Sequence, residues 1–205
     1  KLSPKITGEV HLKDLIDYIV RGGWPSNMDT PIEDAMTLPI QYVDAIIDDD
    51  VYRLDGIKRN KDKMKLLLRS LARNESTTAT NTSLAKDIKE KDDVEIDKTS
   101  VSEYLDIFNR LFLLDNQKPF ATKIRSSVRI KQAEKRHFCD PSIACALLNA
   151  SPDKLLNDLE TLGFLFEAMV ERDLRIYAES FDASLYHYQD YNNNEIDAVI
   201  ETSEG

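Results

Sequence analysis

Apolar residues return at intervals of three and four along most of this chain, and that rhythm restricts it to a largely helical fold. From His11 to Arg21 they are Leu12, Leu15, Ile16 and Ile19, and Gly22-Gly23 closes the run. Asn60 is placed to cap a helix whose buried face carries Met64, Leu67, Leu68 and Leu71. After Ser100 they are Val101, Tyr104, Leu105, Phe108 and Leu111, with Ser100 and Glu103 spaced as a capping box. Thr30, Pro31 and Glu33 form a further start signal. The helix bearing Ile40, Val43, Ile46, Ile47, Val51 and Leu54 is expected to restart at Pro39, because an interior proline removes a helical hydrogen bond. Asp48-Asp49-Asp50 lies inside it. Successive helical residues point about 100° apart, so these three read as solvent-facing or ion-paired, not as metal ligands.

Two regions break the helical rhythm. Between Lys123 and Lys131, Val128 and Ile130 alternate with Arg129 and Lys131, the pattern of a half-buried strand with a basic outer face. Short helices are expected around Leu84, Ala85 and Ile88 and after Asp140, and a long one from Asp158 to Tyr177 burying Leu162, Leu165, Phe166, Met169, Val170 and Leu174. Strands follow at Leu185–Tyr188 and Glu195–Ile200, joined through Asn192-Asn193-Asn194. The fold class is therefore mainly α with an α+β C-terminal part. Three helices followed by a ribbon over residues 58–136 is the layout of a winged helix-turn-helix.

A winged helix binds DNA by placing its third helix in the major groove and its ribbon on phosphates. Lys123, Arg125, Arg129 and Lys131 suit a phosphate-gripping wing, and Arg110 with Asn109 can donate from the third helix. The same helix carries Glu103 and Asp106, which repel phosphate. Winged helices also dock proteins, and both readings stay open.

Charge divides along the chain in the same places. Residues 1–50 are net −6, residues 58–73 and 118–136 are each net +6, and residues 137–205 are net −11. The whole chain, at −10, is no uniformly basic nucleic-acid coat. No apolar run approaches the roughly 18 residues of a membrane span. Six glycines include no pair at Walker A spacing, so the chain has no P-loop of its own. Two cysteines, Cys139 and Cys145, make no disulfide framework, and a cytoplasmic location is the expectation. The absence of an initial methionine and a strand close to Gly205 suggest an internal fragment of a longer protein.

Candidate chemistry is confined to the acidic last segment. Glu167 sits on a helix among apolar neighbours, while Glu195 and Asp197 share a strand face because strand residues two apart point the same way. Such carboxylates can hold a hard divalent cation, which activates water for phosphodiester hydrolysis. Alternatively Glu167 pairs with Arg172 or Arg175, or caps a neighbouring backbone. The scattered histidines His11, His137 and His187 and the two cysteines define neither a zinc pattern nor a catalytic triad.

An ordered set of motifs resembles the C-terminal region of prokaryotic AAA+ P-loop ATPases: Gly22-Gly23-Trp24-Pro25, Tyr104-Leu105 through Leu114, Phe138-Cys139-Asp140-Pro141, Gly163-Phe164-Leu165-Phe166-Glu167, and Tyr186-His187-Tyr188 leading to Glu195-Ile196-Asp197-Ala198-Val199-Ile200. The resemblance implies a helical linker (1–57) after an absent ATPase domain, a winged helix (58–136) and a truncated PD-(D/E)XK-like segment (137–205). Glu167 and Asp197 match the metal-binding positions, and Glu195 is a further catalytic candidate. The implied cofactors are Mg or Mn here and ATP only in the absent domain. A downstream Glu-x-Lys strand is missing, so the fragment is expected to be inactive alone. Gln189-Asp190 departs from the pattern, where relatives carry an arginine. The implied partners are DNA and the protein's own ATPase domain, and an oligomer of identical chains is compatible with that reading.

Overall fold

The computed structural model describes residues 8–120, 133–190 and 194–203. It is mainly helical, with a small three-stranded sheet formed in the C-terminal part. Helix α1 (Leu12–Arg21) ends where Gly22 takes φ 71° and ψ −178°, a conformation essentially reserved for glycine. Its buried stripe is Ile16, Ile19 and Val20.

The start signal at Thr30 does not open a helix. Residues 31–36 form turns instead, and the loop after α1 is tied by side chains. Arg21 donates to the carbonyls of Asn27, Met28 and Thr30, while the buried Asn27 amide donates back to Arg21 and across to Ala35. These side-chain bonds satisfy backbone carbonyls that a helix would have used. Helix α2 (Thr37–Ala45) therefore begins later, with Pro39 in its first turn, where an N–H has no helical partner to lose. A π-helical turn (Ile46–Asp50) links α2 to α3 (Val51–Asp55) and keeps Val43, Ile46, Ile47 and Val51 against the core.

Helix α4 (Lys61–Arg73) is capped by the Asn60 side chain, as its sequence predicts. Thr80 caps α5 (Asn81–Asp92). Helix α6 (Lys98–Arg110) starts three residues before the expected capping box. Asp97 accepts from the Ser100 N–H, and Glu103 instead binds Arg59 at 2.7 Å. An ionised carboxylate at the N-cap also suits the helix dipole, which a serine hydroxyl cannot match. Helix α7 (Pro141–Leu148), capped by Asp140, is buried from Pro141 to Cys145 and packs on α1, α2 and α4. The short α8 (Pro152–Leu156) leads to α9 (Leu159–Glu179), which starts at the Asp158 cap. Its buried stripe runs through Leu162, Leu165, Ala168 and Glu171, whereas Phe166 is exposed, a correction to the expected face. One hydrophobic cluster links residues from Ile16 to Leu165.

Strand β1 (Lys118–Pro119) runs parallel to β2 (Ser184–Gln189), and β2 runs antiparallel to β3 (Glu195–Glu201) with a bulge between Tyr186 and Tyr188. Antiparallel bridges join Leu114 to Phe138 and Gln117 to Lys135. The chain leaving α6 and the chain entering Phe138 thus lie side by side at the sheet. Lys123, Arg125, Arg129 and Lys131 fall outside the described residues. Among the described residues, no helix is long and apolar enough to cross a membrane.

Candidate functional site

Lys135 organises the candidate site. Its alternation with Arg136 and His137 along an extended segment turns Lys135 and His137 inward, and Lys135 is only 2% exposed. Its ammonium reaches Glu167 Oε1 at 2.6 Å, Glu195 Oε1 at 2.7 Å and Asp197 Oδ1 at 2.9 Å. Helix α9 presents the first carboxylate and β3 the other two. The three expected acids therefore do meet, although Glu167 pairs with neither Arg172 nor Arg175. Those arginines are engaged elsewhere, Arg172 with Asp140 and Asp173, Arg175 with Glu171 and Asp115. Arg110 lies on α6, exposed and away from this cluster's ion pairs.

The lysine is the group that sequence reasoning missed. Its signal was its place beside His137 on one face of a segment entering Phe138, but that segment read only as part of a basic run. Burial alone pulls an ammonium's pKa down, and its hydrogen bonds to Asp197, Glu167 and Glu195 more than reverse that, holding Lys135 charged. Burial pushes the Glu167 carboxyl up, against the opposing pull of Lys135.

An ammonium has three protons to donate, and here three carboxylates stand within 2.9 Å of it, Glu167 and Asp197 as hydrogen-bond acceptors. The donors are hard oxygens of the kind that Mg or Mn takes. The point where they converge, however, is filled by Nζ, and among the described residues no three His, Cys, Asp or Glu groups are placed to hold a metal ion. As folded, the cluster does not fit a cation in addition to Lys135.

Behind this cluster lies a buried polar layer. Gln117 is fully buried and donates through Nε2 to the Asp197 carbonyl at 2.8 Å. Its Oε1, and both ring nitrogens of the buried His137 and His187, make no hydrogen bond among the described residues. Burial pulls both imidazoles below their ordinary range, so they are neutral. Glu75, 3% exposed, lies with Oε1 3.2 Å from His137 Nδ1, and its carboxylate faces the Phe138 N–H at 3.2 and 3.3 Å. Burial pushes its carboxyl well above 4.5, opposed by that N–H.

The sign for stability follows from linkage. The folded state holds the Glu75 proton to higher pH than the unfolded chain does. Stability from this group is therefore full below about 4.5 and falls as pH rises through the folded-state pKa. Glu75→Gln, which cannot ionise, is expected to fold and to gain on the native chain as pH rises. Urea midpoints measured from pH 5 to 9 check this. A difference that does not change with pH means that Glu75 is already paired as a carboxylate.

The two cysteines supply no nucleophile. Burial pushes the Cys139 thiol up to about 12, and that of the fully buried Cys145 up as well.

Most of the first basic run is neutralised internally. Arg59 binds Asp55 and Glu103, Lys61 binds Asp48, Lys65 binds Asp44, and Arg69 and Arg73 share Asp92, with Asp87 also on Arg73. Asp44 and Asp48 are thus partners of α4, while Asp50 faces Arg53 at 3.8 Å. The pairing of Glu103 with Arg59 also removes one of the two repelling charges on the outer face of α6.

Residues 12–154 match the family model of a domain of unknown function, DUF8612. The match includes Lys135 and ends before α9 and β3, which carry the three carboxylates. No curated protein matches the chain. No solved structure matches it either.

Proposed function

We propose that this chain, which belongs to the DUF8612 family, is the DNA-binding and nuclease-like effector region of an AAA+ ATP-binding protein. The observation that carries the reading is the convergence of Glu167 with Glu195 and Asp197, a helix carboxylate beside two strand carboxylates. It is the arrangement that the resemblance to PD-(D/E)XK segments implies. Helices α4, α5 and α6 followed by the paired extended segments around Leu114–Gln117 and Lys135–Phe138 support the winged-helix part; Lys123, Arg125, Arg129 and Lys131, outside the described residues, are its proposed phosphate contacts. Glu167, Asp197 and Glu195 are the groups that would hold Mg or Mn once the Lys135 ammonium gave way. The three-region division at residues 57 and 136 belongs to the same reading.

The test is duplex binding by fluorescence anisotropy at several salt concentrations. Neutralised phosphates release counterions, so affinity is expected to fall steeply with salt. The pair Arg129→Glu and Lys131→Glu is expected to weaken binding to all sequences and to reduce the salt slope by about 2. Duplex binding that is absent at low salt overturns this reading.

One observation favours a non-catalytic docking or regulatory module as the alternative. Five of the seven basic residues between 58 and 73 are spent on internal ion pairs, which leaves little free positive charge on α4. An apolar or mixed protein interface tolerates that, whereas a phosphate-binding face does not.

A further inference from the structure

We infer that the groove between α3 and the start of α4 docks an acidic segment of a partner protein, which inserts one bulky apolar side chain and sets its carboxylates against Arg53 and Lys58. The inference does not rest on duplex binding, whose phosphate contacts are other residues.

The groove follows from the way the chain turns. Gly56, at φ 74°, ends α3, and residues 47–53 and 57–64 on either side of it line one open cavity of about 370 Å3. That volume lies within the roughly 300–1,000 Å3 range of ligand sites. Its floor is the core itself, Ile47, Val51 and Met64, each at most 3% exposed. Tyr52 and Ile57 also line it, yet they are 51% and 53% exposed, so the chain leaves two large apolar groups half uncovered. Covering them with an apolar side chain removes that surface from water. The π-helical turn Ile46–Asp50 contributes to the wall, a rare geometry that recurs at functional sites.

Charge selects the occupant. Of the four cationic side chains on the lining, Arg59 is held by Asp55 and Glu103, and Lys61 by Asp48. Arg53, its side chain 73% exposed, has only Asp50 at 3.8 Å, and the exposed Lys58 has no ion pair among the described residues. Asp49 is the unpaired acid there. Salt screens charges beyond about 10 Å at 0.1 M, so these near groups, and not the net charge of −10, decide what the mouth attracts. A continuous phosphate backbone meets Asp48, Asp49 and an apolar floor. An acidic peptide with an apolar anchor satisfies the floor and the two open cations together.

The test is selection on the native 205-residue chain from a displayed library of 12-residue peptides with Phe, Trp or Leu fixed at the centre. Asp and Glu are expected to be enriched beside the fixed residue, and the selected peptide to bind in fluorescence anisotropy with an affinity that falls as salt rises. The pair Arg53→Glu and Lys58→Glu should weaken it at least tenfold, and so should Tyr52→Ser with Ile57→Ser. All four side chains are exposed, and circular dichroism checks that each variant is folded. The charge-matched pair Lys91→Glu and Lys98→Glu, exposed and outside the groove, should leave binding unchanged. A library that yields no binder, or binders without acids, overturns the inference. So do groove variants that bind as the native chain does, and an equal loss in the Lys91 and Lys98 pair, which marks general charge attraction. Displacement of the peptide by duplex DNA of unrelated sequence assigns the groove to phosphate instead. A native dimer in sedimentation that Arg53→Glu and Lys58→Glu separate assigns it to a second copy. Either result overturns the peptide.

Discussion

Asp140→Ala is expected to cost about 3–5 kcal/mol of folding stability, the range for stripping one partner from a buried charge pair. Asp140 is 7% exposed and holds three parts of the chain with two oxygens. Oδ1 accepts from the Ser142 N–H at 2.9 Å and the Ser142 hydroxyl at 2.5 Å, which caps α7. Oδ2 accepts from the Gly23 N–H at 2.8 Å and from Arg172 Nη1 at 2.6 Å. Alanine removes the cap of the most buried helix, strands the Gly23 amide and leaves Arg172 with Asp173 alone. Asp140→Asn keeps an acceptor at only one of the two positions and sets an NH2 donor at the other, and should lose about half as much. Urea unfolding at neutral pH gives the numbers. A loss below about 1 kcal/mol for alanine overturns the view that this corner joins the loop after α1 to α7 and α9.

Gly22→Ala tests the other side of the same joint and is expected to cost about 4 kcal/mol, combining backbone strain and overlap. At φ 71° and ψ −178° a side chain is strained whatever the space around it. The space is also missing, because an added Cβ overlaps Asp140 Oδ1 and Ser142 Oγ and comes to 2.8 Å from Ser142 Cβ. Gly56 is the control. It has a left-handed φ of 74° but nothing within 4 Å of an added Cβ, so Gly56→Ala should cost only about 1 kcal/mol. For a chain of this size each kcal/mol moves the melting temperature by about 2–4 °C. The two variants should therefore separate clearly in a thermal scan, and equal shifts would count against a packed Gly22.

These two residues show why local patterns were readable. Gly22 was legible as a helix stop, since a glycine after an apolar stripe ends a helix through its own backbone freedom. Asn60 and Asp140 were legible as caps for an equally local reason: a short polar side chain reaches an N–H two or three residues on. Where the reading failed, a distant partner had outbid a local one. Thr30 and Pro31 signal a helix start, yet the carbonyls there go to the Arg21 guanidinium. Ser100 and Glu103 are spaced for a capping box, yet Glu103 is drawn to Arg59, 44 positions earlier.

The candidate site divides the same way. Glu167, Glu195 and Asp197 could be singled out because a buried-face carboxylate on a helix and paired strand acids are visible as departures from apolar patterning. Their cation could not, because Lys135 lies in a run of basic residues that look alike until a strand pairing chooses which one turns inward. Nor were the contacts of Gly23-Trp24 legible: Trp24 Nε1 donates to Ser142 at 2.8 Å and the Gly23 N–H donates to Asp140.

Periodicity and caps act over a few residues, so helix positions, the C-terminal hairpin and the list of acids follow from the order of amino acids alone. Which charge neutralises which is settled by contacts between residues far apart in the chain, and only folding brings those into reach. For this protein that decision placed one buried lysine among three acids and left the basic face of α4 occupied by its own neighbours.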